Sequence, residues 1–174
     1  MRGMISVILS PGDDEVRLAA LLEALVPAAV DRLVKDVTIV APGAGAGIRL
    51  LAEDMGADLA DGGIAEACAS TRGAWLMILA RPARLVRGWE DPVEDFVAKG
   101  PSFARLSVPV QGWLQAAMGR RGGGEALLVE RTLYEAAGGW GVGQGVEGGE
   151  GLYRALRRGG SRGGTRFDLH VLAE

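Results

Sequence analysis

Glycines stand at 43, 45 and 47, between an apolar run at 37–40 and a helical-period stretch that begins at Ile48. Glycines placed between a strand and a helix let a pyrophosphate approach the helix N-terminus, where unpaired N–H groups and the helix dipole favour negative charge. The spacing for a dinucleotide puts its third glycine one position later, where Ile48 stands, while Asp61 lies at a workable distance for a ribose hydroxyl. A flexible turn is the other reading of Gly43 to Gly47. A second candidate set is Arg81 and Arg84, just after the apolar run Trp75–Leu79. Their guanidinium groups present paired donors that suit phosphate oxygens. Asp13 and Asp14 follow a third apolar run, at 4–9. Cys68 and His170 are the only residues of their types, which excludes an intramolecular disulfide and leaves a cysteine–histidine metal cluster without partners. Cys68 is predicted to be a small buried residue.

These side chains need elements to hold them. Trp75–Leu79 is uncharged, too short for a helix and closed by Pro82, so it predicts a strand buried on both faces, the central strand of the chain. In an open α/β sheet the ligand crevice lies beyond the carboxyl ends of the strands, which places Arg81 and Arg84 beside it. Residues 4–9 predict the first strand, stopped by Ser10-Pro11-Gly12, with Asp13, Asp14 and Glu15 suited to a helix N-terminus. Leu18, Leu21, Leu22, Leu25 and Val26 then recur at helical spacing until Pro27. A strand at 36–41, a helix at 48–55, a short strand at 58–60 and a helix at 64–71 continue the alternation. It implies an α/β fold, Rossmann-like, with a mainly parallel central sheet and helices on both faces. Further on, the pattern predicts a helix at 93–98 with Glu94 and Asp95 in its first turn and a strand at 105–110, pushed to the sheet edge by Pro109. A helix at 113–118, a glycine loop at 122–124, a strand at 125–130 and a last strand near 167–172 complete it.

With 174 residues and 48% hydrophobic content the chain is expected to form one domain over 1–174. The net charge of −3 hides an asymmetry: residues 1–66 carry 5 basic and 11 acidic side chains, residues 67–174 carry 14 and 11. The second half is the favoured side for an anionic ligand. Only Lys35 and Lys99 among the 19 basic residues are lysines, and with 28 glycines this reflects GC-rich coding as much as selection for arginine chemistry. No apolar stretch approaches the roughly 20 residues of a membrane span, and no cleavage-site pattern follows Met1, so a cytoplasmic location is expected. The Arg-Gly stretch at 157–166 has no run of repeats, which favours a solvated loop over a nucleic-acid contact.

Residues 73–89 resemble a segment of family 2 glycosyltransferases that reads Gly-Asp, apolar strand, Asp-x-Asp, a few residues, Gly-Trp. Gly73, Trp75–Leu79 and Gly88-Trp89 keep that frame, while Ala80 and Pro82 stand at the two aspartate positions. In that family the two carboxylates bind the metal that holds the nucleotide-sugar diphosphate. Residues 40–47 are similar to the family's Val-Asp-Gly-Gly-Ser-x-Asp-Gly-Thr, whose first aspartate touches the base; Ala41 stands there. Residues 125–140, ending in Gly138-Gly139-Trp140, resemble the family's strand, Arg-Arg, helix, Gly-Gly-Phe element. The family's next motif, Glu-Asp-x-Asp-Leu-x-x-Arg-Leu, opens a helix and supplies the general base. Aligned on Leu152 and Leu156, the acidic pair is replaced by Gly148 and Gly149, with Glu147 and Glu150 on either side as candidate displaced bases or as dipole partners. Some related enzymes carry a metal-binding histidine late in the chain, as His170 is here.

The resemblance, over residues 4–160, implies a GT-A fold and a nucleotide sugar as a ligand. With carboxylates missing at 41, 80, 82 and 148–149, it implies a degenerate scaffold kept as a binding or assembly module. Asp13, Asp14, Gly43, Arg81 and Arg84 would line the nucleotide crevice. No divalent cation is expected as cofactor, and no manganese or magnesium site at 80–82. The alternative is an active, metal-independent transferase in which Arg81 and Arg84 neutralise the diphosphate. A protein partner would use the crevice or the surface around Trp113 and Trp140.

Overall fold

The alternation of apolar runs and helical-period stretches produces the expected order of elements in the computed structural model, which describes residues 4–81, 83–100, 102–107, 126–141, 148–159 and 166–173. The first half contains β1 (Ile5–Leu9), α1 (Glu15–Val30), β2 (Val34–Val40), α2 (Ala46–Met55), β3 (Asp58–Ala60), α3 (Ile64–Ser70) and β4 (Trp75–Leu79). After it come β5 (Arg84–Leu85), α4 (Glu90–Ala98), β6 (Phe103–Ser107), β7 (Ala126–Glu130), α5 (Arg131–Ala136), α6 (Gly148–Gly159), β8 (Arg166–His170) and β9 (Leu172–Ala173). Seven strands make one sheet in the order β3-β2-β1-β4-β7-β6-β8. Every neighbouring pair is parallel except those of β7, which runs against both β4 and β6. β5 and β9 pair antiparallel in a separate ribbon.

β4 lies at the middle of the sheet with all five residues buried. Its side chains alternate between two cores, as the period of a strand requires. Trp75, Met77 and Leu79 face α1, α2 and α4, where Leu18, Leu21, Leu25, Ile48 and Phe96 are buried. Leu76 and Ile78 face Cys68 of α3, Tyr134 of α5 and Leu152 and Leu156 of α6. Burial of each large apolar side chain contributes about 1.5–3 kcal/mol, so a strand with five of them fixes the layer order helix, sheet, helix. Trp75 also meets Phe96 edge to face, with ring centroids 5.7 Å apart.

Three details differ from the sequence expectation. α1 does not stop at Pro27 but runs one turn further, because buried Ala28 packs in the core and the Pro27 carbonyl accepts from the Asp31 N–H at 2.9 Å. α4 starts at Glu90, so Glu90 and Asp91, rather than Glu94 and Asp95, meet the N-terminal dipole. β6 is an interior strand between β7 and β8, not an edge: it begins at Phe103 and ends at Ser107, before Pro109 could remove a ladder donor. Pro82, Pro109, Trp113, the helix at 113–118, the loop at 122–124 and Glu147 lie outside the described residues. Among the described residues no helix is long and apolar enough to cross a membrane.

Candidate functional site

Because β1, β2, β4, β6 and β8 run the same way, their carboxyl ends share one rim of the sheet. The ends of β1 and β4 are tied by the Ser10 N–H donating to the Leu79 carbonyl at 2.9 Å. Between them and α1 is a small pocket lined by Ser10 and Pro11, by Leu79 and Arg81, and by Arg17 and Leu18. Arg17 and Arg81 thus line a small, mainly apolar pocket at the place where an open α/β sheet takes its ligand.

Asp14 is the N-cap of α1: its carboxylate accepts from the Arg17 N–H at 3.0 Å and pairs with the Arg17 side chain at 3.3 Å. Asp13, next to it, is exposed. Gly43 turns the β2–α2 loop at φ +68°, a conformation that suits glycine, and the Ala44 N–H donates back to the Ala41 carbonyl at 3.0 Å. Over Gly47 lies the carboxylate of Glu15, an anion where a pyrophosphate would have to come, which weighs against the dinucleotide reading of this loop. Arg81 lines the pocket with Arg17, whereas Arg84 sits on β5, exposed and paired in register with Ala173 of β9. The two arginines expected to act together belong to different features.

Glu150 is on the other side of the sheet. Its Oε2 accepts from Arg105 Nη2 at 3.0 Å and its Oε1 from Arg154 Nε at 3.3 Å, while the Arg105 guanidinium lies 4.1 Å from the centre of the Tyr153 ring. Both oxygens are therefore held by cations. At the far end of the rim, Ser107 Oγ and His170 Nδ1 are 3.0 Å apart across β6 and β8. Arg17 and Ser107 were not singled out from sequence. Arg17 did have a signal: a cation in the first turn of a helix opposes the dipole unless an acid such as Asp14 pairs with it. Ser107 had none, since its neighbour lies 63 positions away.

No protein-family model and no curated protein matches the chain by sequence. Solved structures match it by fold. Glucosyl-3-phosphoglycerate synthase from Mycobacterium tuberculosis, in complex with Mn2+ and UDP-glucose, superposes with a TM-score of 0.69 at 16% identity, over 98% of this chain and 71% of that one. The same enzyme with Mn2+, UDP and glucosyl-3-phosphoglycerate gives 0.65 at 18% identity over 98% and 71%. A further mycobacterial protein gives 0.67 at 15% identity, over 95% of this chain and 65% of that one. The fold is that of GT-A glycosyltransferases, mostly parallel with helices on both faces.

These likenesses correct the expectation of no divalent cation, because solved structures that share this fold include complexes with Mn2+ and UDP or UDP-glucose. The expectation rested on the missing carboxylates at 80 and 82. A cation in a nucleotide site takes only one or two carboxylates from the protein and the remainder from phosphate oxygens and water, so their loss does not decide the matter. Among the described residues no three His, Cys, Asp or Glu side chains stand together.

Proposed function

We propose that this chain is a glycosyltransferase-like module that takes a nucleoside diphosphate sugar, with a divalent cation carried on the diphosphate, in the crevice at the carboxyl ends of β1, β2 and β4. The observation that carries this reading is the superposition of 98% of the chain, at a TM-score of 0.69, on a structure that holds Mn2+ and UDP-glucose. Arg81 and Arg17 line the pocket at that rim and supply donors for phosphate oxygens; Asp13, free of the capping duty of Asp14, is the carboxylate available to a cation. Gly43 shapes the loop beside β2, and Arg84, on the β5–β9 ribbon, adds positive charge after β4.

Glycosyl transfer is proposed to be slow or lost. Deprotonating an acceptor hydroxyl needs a carboxylate base within hydrogen-bond reach. Gly148 and Gly149 stand at the acidic pair that the glycosyltransferase resemblance assigns to this task, and the oxygens of Glu150 are occupied by Arg105 and Arg154. A base role then falls to Glu147. The chain spans 65–72% of the length of the solved structures it matches.

Calorimetric titration with UDP, UDP-glucose and GDP-mannose, each with and without MnCl2, tests the binding. At least one nucleotide should bind, more tightly with Mn2+, and Arg81→Ala should weaken it about tenfold through the loss of a charged hydrogen bond. Absence of heat for every nucleotide at millimolar concentration with Mn2+ would overturn the reading. A parallel assay for sugar release from UDP-glucose tests the second part, which fails if the parent protein turns over.

A further inference from the structure

From the rim at Glu15 and Gly47 down to Glu23 and Asp54, the outward faces of α1 and α2 meet in a groove of about 560 Å³. Its lining is apolar: half-buried Ala19 of α1 and Leu51 of α2 lie lowest, and Val16 and Ala20 of α1 and Leu50 of α2 stand above them, with Val16 80% and Leu50 59% exposed. Large exposed apolar side chains scattered singly are ordinary on a protein surface, but two on adjacent helices at one groove form a patch. Glu15, Glu23 and Asp54 edge this patch, no basic side chain lines it, and none of the three carboxylates forms an ion pair among the described residues.

The sign of the charge narrows the occupant. An acidic edge repels an anionic bilayer surface and the phosphates of nucleic acid, both of which need Lys and Arg on the protein. It attracts a cationic group, and the apolar floor between two helices matches the stripe of an amphipathic helix laid along it. Among the described residues, the basic helix of a second copy, α6, is poorly suited. α6 does expose Arg157 and Arg158, but its apolar residues Leu152, Tyr153 and Leu156 are buried in its own core. We propose that the α1–α2 groove docks a basic amphipathic helix from another protein, with leucine-like residues on Val16, Ala20 and Leu50 and Lys or Arg against Glu15, Glu23 and Asp54. This surface adjoins the nucleotide rim at its Glu15–Gly47 end, but the proposal does not rest on the nucleotide reading.

The test uses a fluorescein-labelled helical peptide with leucines spaced i, i+3, i+4, i+7 and lysines on the flanks. Its controls are the same composition in scrambled order and the same order with glutamate for lysine. Fluorescence anisotropy should show micromolar binding of the basic helix, at least about tenfold weaker binding of the scrambled peptide and none of the acidic one. The protein variant Glu23→Lys with Asp54→Lys, and separately Leu50→Asp, should each lose about tenfold or more; all three positions are exposed, and unchanged circular dichroism checks the fold. Val16→Ser gives a milder second probe of the lining. Equal binding of the scrambled peptide, equal binding by the charge-reversed protein, or no binding up to about 1 mM would overturn the proposal. Self-association in sedimentation equilibrium that Leu50→Asp abolishes would assign the groove to a second copy and would equally overturn it.

Discussion

The two sides of the sheet are assembled by different rules. On the β3-β2-β1-β4 side every strand is parallel to its neighbour, and each crossover is one helix long, so that Ile8 pairs with Thr38 and Val40 with Ala60. On the β7-β6-β8 side one strand is reversed and partners come from far along the chain: Ile78 meets Leu127 and Ala104 meets Phe167. Local pattern is enough to build the first side. The second is decided by which distant strand arrives, and this is also the side that carries the Arg105–Glu150–Arg154 cluster and the Ser107–His170 pair. A short seam joins the two. Arg131, at the start of α5, donates to the carbonyls of Gly73 and Cys68 at 2.6 and 3.1 Å and to Thr71 Oγ1 at 3.1 Å, while its N–H donates to the Ala74 carbonyl.

Cutting that seam should have the largest effect. Arg131→Ala leaves two carbonyls and a hydroxyl without their charged donor and is expected to cost about 3 kcal/mol in urea unfolding. Arg131→Lys should recover less than half, since an ammonium cannot reproduce the planar fork. Stability unchanged in Arg131→Ala would mean that the two sides hold together without it. The next effect is on pH. Burial pushes the Cys68 thiol up to about 11, against a weaker opposing hydrogen bond from Tyr134 and the charge of Arg131; burial also raises the Tyr134 hydroxyl. An unfolded thiol loses its proton near 9.0, so between about pH 9 and 11 the native state binds more protons than the unfolded one and stability falls as pH rises. The loss from Cys68 by pH 11 is on the order of 2 kcal/mol. Urea midpoints from pH 8 to 10.5 should show this slope in the parent and a shallower one in Cys68→Ala. Smaller changes belong to the first side alone. Asp14→Ala removes the cap of α1 and should cost about 1 kcal/mol in thermal unfolding. Gly43→Asn, which keeps a residue tolerant of positive φ, should cost only about 0.5 kcal/mol and leave the β6–β8 amides unchanged in hydrogen exchange.

The sequence disclosed what depends on neighbours in sequence. Trp75–Leu79 was legible as the central strand because five uncharged residues between Gly73 and a proline leave a strand few alternatives, and β1, α2 and α3 followed from periodicity within two residues of their ends. β6 was misplaced to the edge because Pro109 dominated the reading, whereas the strand takes its interior place through Phe103, Ala104 and Leu106, all buried. Arg131 gave no hint of its partners, which stand 58 to 63 positions away. At the rim, Arg81 was legible from its position after β4, but its companion Arg17 was hidden in a helix and Arg84 was drawn off by β9, a strand 89 positions further on. The expectation of no cation, which the Mn2+ complexes of structures with this fold overturn, had a related weakness: side-chain ligands are written in a sequence, but the oxygens that a bound diphosphate contributes are not.

The β5–β9 ribbon sets an order of events during synthesis. β1, α1, β2, α2, β3, α3 and β4 can pair among themselves as soon as residue 79 has left the ribosome. The segment just beyond β4 can pack on α1 soon after, but it lacks its strand pairing, because Arg84 and Leu85 pair with Ala173 and Leu172. At about 5–20 residues per second, the delay is roughly 5–20 s. For the first part of it, until β7 is made at residues 126–130, roughly 3–10 s, the nascent chain holds a nearly finished parallel sheet with β4 bare along one edge, the kind of edge on which another strand can pair wrongly. A cell making this protein has most to gain from a chaperone that covers that edge until β7 arrives, and a ligand that needs residues 81–86 in place has no complete site to bind before the last strand is made.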